Sequence, residues 1–267
     1  MPDGTQIAAM QRARGRVALR FAGERHRLVD LHQSGCLKAM MPRNHAAEPD
    51  VVLINTAGGL TGGDHLDISA SVETGARLNI ATQTAERVYK STGPMGRVSV
   101  DLTIGAGGAI HWMPQETMLF DRSALGRSIT VDMQDTSELL IVEPLIFGRR
   151  AMGESLSHFS ISDQWRIRRS SRLVHAEATR FEGGLDDLSG PAALGDCRAI
   201  ATILFVKDGA ETRLDEARAI LPDAAFSATK DRLIGRLAAS DPRLLRGRLI
   251  HFLTRFRSAP MPRVWTM

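Results

Sequence analysis

The sequence predicts a mainly β fold: stacked strand–turn–strand repeats, β-helix-like, with about two α-helices toward the C-terminus. Three observations predict it. Apolar residues alternate with polar ones at period two through the middle of the chain, the mark of half-buried strands. The alternating units recur roughly every thirty residues, the range of stacked repeats. Helix signals are confined to the last third, and no alternation of strand and helix supports a doubly wound sheet.

The first unit has Leu66, Ile68, Ala70 and Val72, a turn at Glu73-Thr74-Gly75-Ala76, then Leu78 and Ile80. The second has Val98, Val100, Leu102 and Ile104, a turn at Gly105-Ala106-Gly107-Gly108, then Ile110 and Trp112. The third has Ile129, Val131 and Met133, a turn at Gln134-Asp135-Thr136-Ser137, then Leu139 and Ile141. Read as hairpins, these units cannot bury an apolar face alone, so neighbours stack into one core. Longer segments, 82–97 and 113–127, join them and are natural places for function. Further strands are expected around Ile161, Trp165, Ile167, Leu173 and Val174, and over 200–206. Asp241-Pro242 is an N-cap with proline in the first helical position. Leu245, Leu249, Phe252, Leu253 and Phe256 then share one helical face, Arg255 and Arg257 suit its C-terminal end, and Pro260 and Pro262 stop it. A shorter helix is expected over 214–221, before Pro222.

At 267 residues the chain can bury a sizeable core. We expect a loose tail over 1–11 and a single domain over 12–267. Hydrophobic residues are 43% and charged residues 24%, ordinary for a globular protein, while aromatics at 5% provide poorly for base or sugar stacking. The net charge of +4 and pI near 9.6 favour an acidic partner surface. They keep a nucleic-acid groove open as an alternative, although no motif supports one. Cys36 and Cys197 form neither a disulfide framework nor a metal motif and suit a reducing compartment. The arginine-rich start lacks an apolar signal core, and the run over 139–147 is too short for a membrane span, so a cytoplasmic location is expected.

The most informative stretch is 54–67, I-N-T-A-G-G-L-T-G-G-D-H-L-D. Its glycine spacing suggests a phosphate loop, but Asp64 and His65 stand where lysine and a hydroxyl residue belong. A strand pattern follows instead of a helix. A tight glycine turn entering a strand is the simpler reading. The eight histidines form no zinc spacing. His65 beside Asp64 allows only a weak, passing contact with a divalent metal. Glu143 falls at the end of an apolar strand, and Gly148-Arg149-Arg150-Ala151-Met152-Gly153-Glu154 forms a turn. Ion pairing of Glu143 or Glu154 with Arg149 or Arg150 competes with a role in acid–base chemistry. A hydrolase using Glu116 and Glu143 remains an alternative. Arg166, Arg168, Arg169 and Arg172 read as a solvated strand face or docking patch.

Five segments carry a resemblance: N-T-A-G-G-L-T-G-G-D (55–64), T-Q-T-A-E-R-V-Y-K-S (82–91), W-M-P-Q-E-T-M-L-F-D (112–121), E-P-L-I-F-G-R-R-A-M-G-E (143–154) and P-R-V-W (262–265). In order and nearly end to end, the chain resembles the urease accessory protein UreD, also called UreH. The resemblance implies a non-enzymatic cytoplasmic scaffold. It would bind apo-urease subunits and recruit UreF, which recruits the GTPase UreG. The assembly would deliver nickel to urease, with an internal tunnel as the path. No tightly bound cofactor, nucleic acid or membrane is implied, only nickel in transit. A conduit should offer scattered ligands, since a closed cage would trap the ion. Asp64, His65, Glu116, Glu143 and Glu177 are the candidates by residue chemistry and placement. For partner contact we expect the loop holding Gln115, Phe120 and Asp121, the turn holding Arg149, Arg150 and Glu154, and Phe252 and Phe256 of the C-terminal helix. Exposed apolar residues there would limit solubility.

Overall fold

The computed structural model describes residues 11–43, 47–149 and 152–267. The expected tail and Arg150 therefore lie outside the described residues, Gln11 of the tail excepted.

The strands, in chain order, are β1 (Arg14–Ala22), β2 (Arg27–Gly35), β3 (Leu37–Met40), β4 (Asp50–Asn55), β5 (His65–Val72), β6 (Arg77–Thr82), β7 (Glu86–Val88), β8 (Gly96–Ile104), β9 (Ala109–Trp112), β10 (Thr117–Leu119), β11 (Ala124–Met133), β12 (Glu138–Phe147), β13 (Phe159–Arg169), β14 (Arg172–Gly183), β15 (Ala199–Val206), β16 (Ala225–Thr229) and β17 (Arg232–Ala239). The helices are α1 (Leu214–Ile220) and α2 (Pro242–Arg257).

The strands form two sheets. One runs β14-β13-β11-β8-β5-β1-β2; the other runs β16-β17-β15-β12-β9-β6-β4-β3. In the central units, β5 to β6, β8 to β9 and β11 to β12, the chain crosses from one sheet to the other. Like strands then stack in parallel register: Ile68 beside Val100, Val100 beside Ile129, Ile129 beside Trp165. The second sheet repeats this, with Leu78 beside Ile110 and Ile110 beside Leu139. This is the expected stacked, β-helix-like core.

One correction concerns the units themselves. β5 and β6 do not pair with each other as a hairpin. β5 pairs with β1 and β8, and β6 pairs with β4 and β9. The four-residue turns are arches between sheets, because apolar residues of both strands must face each other across the core. Leu66, Ile68, Leu78 and Ile80 are buried in the same cluster. The joining segments also hold two short strands: β7 and β10 pair in parallel, and β10 continues onto β12.

A second apolar cluster lies on the outer face of the second sheet, under α2. Leu245, Leu249, Phe252, Leu253 and Phe256 are all buried there, as their spacing requires. The Asp241 side chain caps the helix by accepting from Arg243 N–H at 2.6 Å. The helix ends one turn before the prolines, at Ser258 in a left-handed conformation (φ 51°). Phe252 stacks on Phe256 at 4.9 Å and on Phe226 at 5.2 Å. Burying each such side chain contributes about 1.5–3 kcal/mol. The face offered to a partner on sequence grounds is thus used in the chain's own core.

Candidate functional site: an interior cavity and its polar lining

Between the two sheets lies a cavity of about 90 Å³. Leu37, Leu53, Leu66, Ile68, Val98 and Leu125 supply its apolar wall. Asn55, Glu86, Trp112, Thr117, Arg127 and Glu143 supply its polar groups. At roughly 10–15 Å³ per water, several waters or a hydrated ion would fit.

Arg127 anchors the polar side. It lies in β11 among Leu125, Ile129 and Val131, at a position whose parity points inward. Its guanidinium donates to both Asp163 oxygens, at 3.1 and 2.6 Å. It also donates to Glu143 and, at 3.3 Å, to Thr117 Oγ1. The Trp112 indole N–H donates to Glu143 at 2.6 Å, and that of Trp165 to Asp163 at 3.0 Å. Arg127, Glu143 and Asp163 are all buried. Burial works against the charge of Arg127, but Asp163 and Glu143 more than offset it and hold the guanidinium protonated. Burial pushes the Glu143 carboxyl up to about 7, against the pull of Arg127 and with repulsion from Asp163.

Glu86 is the other carboxylate of the cavity. Asn55 donates its amide N–H to both oxygens, at 3.1 and 3.2 Å. Burial pushes the carboxyl up to about 7; the Asn55 hydrogen bond and Arg87 pull the other way. No ion pair joins it to a cation among the described residues.

The expected site residues fall in several places. Asp64 is buried and closes the glycine turn, accepting from the N–H groups of Ala13 and Thr61, both at 2.8 Å. Gly62 there leaves no room for a side chain, since an added Cβ would lie 2.0 Å from Ser91 Oγ. His65 begins β5, half exposed, 3.0 Å from Asp67. Glu116 is buried against Arg246 of α2 at 3.0 Å and, unlike Glu143, does not line the cavity. Glu143 lies in the middle of β12 and not at its end, because that strand continues to Phe147 under β10. Its partner is Arg127, while Arg149 pairs with Glu154. Glu177 is on β14, joined to Arg236 of β17. Among the described residues no three His, Cys, Asp or Glu side chains converge as a metal cluster.

The partner-facing candidates divide similarly. Gln115 is buried; its amide donates to the Thr82, Gln83 and Val264 carbonyls at 3.3, 2.9 and 2.7 Å. With Arg246, which donates to the Trp265 carbonyl at 3.0 Å, it fastens the C-terminal segment beside the cavity. Trp265 is buried and donates to the Met113 carbonyl at 2.9 Å. Phe120, Asp121, Arg149 and Glu154 do come together. The Arg149 guanidinium lies 3.9 Å from the Phe120 ring centre and pairs with Glu154 at 3.0 Å. Asp121 accepts from Ser157 N–H at 2.7 Å. Phe120 itself is buried under Arg149, so Arg149 and the neighbouring Tyr89 and Met152 form the exposed part. Phe252 and Phe256 are fully withdrawn, as described above. Of the basic stretch, Arg169 is buried and pairs with Asp231 at 3.0 Å, so it is no solvated patch residue.

Arg127, Asp163 and Glu86 were not singled out from the sequence. Parity could have found the first two, since each is a charge at an apolar, inward position of its strand. Glu86 gave no such signal, because its strand has only three residues. No helix among the described residues is long and apolar enough to cross a membrane.

A model of the UreD urease accessory protein family matches residues 11–266. Among similar proteins, the urease accessory protein UreD of Jannaschia sp. (strain CCS1) is 44% identical over 260 residues, covering 96% of each chain. That of Rhizobium etli is 42% identical over 263 residues, again 96% of each. That of Agrobacterium fabrum is 38% identical over 270 residues, 99% of this chain and 95% of the relative.

Proposed function

The chain belongs to the UreD family of urease accessory proteins, with a role in urease maturation, and from that premise we propose that it is a non-enzymatic scaffold for nickel delivery. In this reading it binds apo-urease, recruits UreF and through it the GTPase UreG, and lets nickel pass through its interior. The observation that supports the interior route is the cavity between the sheets, with Glu86 and Glu143 on its lining. Nickel accepts carboxylate oxygen. Glu86 forms no ion pair among the described residues, whereas Arg127 already holds Glu143 and Asp163. A carboxyl with a raised pKa exchanges a proton for a metal ion near neutral pH, so the cation binds weakly and leaves again. The cluster of Tyr89, Arg149 and Glu154 is the surface proposed to meet a partner protein.

The test is urease activity and nickel per urease active site, in cells with and without this gene, at equal urease levels. Nickel-poor, inactive urease without the gene supports the reading. Normally filled urease overturns it.

A further inference from the structure

Under the C-terminal end of α2 the outer face of the second sheet turns from apolar to polar. Asn79 and His111 stand side by side on β6 and β9, and Arg77 and Glu138 flank Ala109 in the next row. Arg257 reaches down from the helix and donates to His111 Nδ1 at 3.0 Å and to Asn79 Oδ1 at 2.9 Å. With Nδ1 an acceptor, His111 carries its proton on Nε2, which donates to Glu138 at 2.8 Å. The buried imidazole is neutral: burial disfavours its charge, against the pull of Glu138.

This floor opens into a cavity of about 290 Å³. Four cations line it (Arg77, Lys207, Arg213 and Arg257) against two carboxylates, Glu48 and Glu138, and Arg213 is also paired with Glu216 at 2.7 Å, so one positive charge is in excess. Both Glu138 oxygens are already taken, by His111 and Arg77 on one side and Lys207 on the other. The donors are not exhausted. Arg77 uses Nε and Nη2, Arg213 uses Nε and Nη2, and Lys207 uses one of its three N–H bonds. Nη1 of Arg77, Nη1 of Arg213 and two Lys207 N–H groups have no protein acceptor among the described residues. Arg257 forms no ion pair among them either.

We infer that this cavity is a binding site for a small oxyanion of phosphate size, held by Lys207, Arg77 and Arg213 above the His111–Arg257 floor. The remaining positive charge suits an anion, and the open donors match its oxygens. The site lies on the outer face of the second sheet, apart from the cavity between the sheets, and does not depend on the route of nickel.

The experiment is calorimetric titration of inorganic phosphate into the full chain at constant ionic strength. Saturable binding to the wild-type protein is expected, weakened about tenfold in Lys207→Ala by the loss of one charge-assisted contact. Lys207 is half exposed, so this change spares the core. Lys230→Ala, in a separate basic cleft, should bind as wild type. Melting temperature should rise with phosphate in the wild type and less in Lys207→Ala. Absence of saturable heat in the wild type, or equal binding by Lys207→Ala, overturns the assignment.

Discussion

Arg127 and Asp163 stand directly opposite each other on adjacent parallel strands, and the guanidinium grips both carboxylate oxygens in the space between two sheets. The pair is completed by Glu143 from the facing sheet. Removing the cation leaves two carboxylates buried without compensation. Arg127→Met should destabilise the fold by about 3–5 kcal/mol, measured by denaturant unfolding. Adding Glu143→Gln and Asp163→Asn should recover a large part of the loss. Full stability in the single variant would contradict the arrangement.

Glu86 sets a pH dependence whose sign follows from its raised pKa. The folded chain holds this proton up to about 7, whereas a free carboxyl releases it near 4.5. Between those values the folded state binds more protons than the unfolded state, so stability falls as pH rises through the window. The shift corresponds to about 3 kcal/mol at most. Glu143, shifted the same way, contributes a second part. Glu86→Gln should flatten the fall without abolishing it, as read by denaturant midpoints from pH 5 to 8. An unchanged slope would show that Glu86 ionises normally.

Trp265 is buried two residues from the C-terminus. Trp265→Ala should cost about 3–5 kcal/mol. Hydrogen exchange should quicken at Gln83 and Val264, which Gln115 ties together. Exchange confined to Thr266 and Met267 would show that the segment is held by something else.

Arg149→Ala should behave in the opposite way to Phe252→Ala. Arg149 is substantially exposed and Phe252 is not. The arginine change should alter stability by no more than about 0.5–1 kcal/mol while weakening pull-down of UreF or urease subunits. The phenylalanine change should cost about 3–5 kcal/mol. Unaltered co-purification by Arg149→Ala would remove this surface from the proposed interface.

Much of this fold was legible in the sequence, because period-two patterns fix which side chains face the core and the cap fixes where α2 begins. What strands pair with is a different matter. Leu66 and Leu78 announce two strands and a tight turn, but the same pattern suits a hairpin and an arch. Only the demand of a facing sheet decides between them. β7 and β10, at three residues each, are too short to show any period. The site was half legible. Arg127 and Asp163 violate the parity of apolar strands, a signal present in the sequence. The closeness of Glu86 to Asn55 is long-range, 31 positions apart, and no local pattern carries it. Phe252 and Phe256 illustrate the converse error: an amphipathic face says that something covers it, not that the cover is another protein.

The parallel stacking has a kinetic consequence. Each parallel rung pairs with a segment one whole circuit away, as Asn79 does with Asp50 and Ala109 with Arg77. Short hairpins such as β1–β2 and β13–β14 occur only toward the ends of the sheets, so each parallel step between them must first overcome the entropy of closing a long loop. Such topologies fold slowly, on the order of milliseconds to seconds. Until the last circuit docks, the most recent rung presents an unpaired parallel edge rich in valine, isoleucine and leucine. The nascent chain is therefore most vulnerable to aggregation during synthesis, before β14 and β15 close the growing ends.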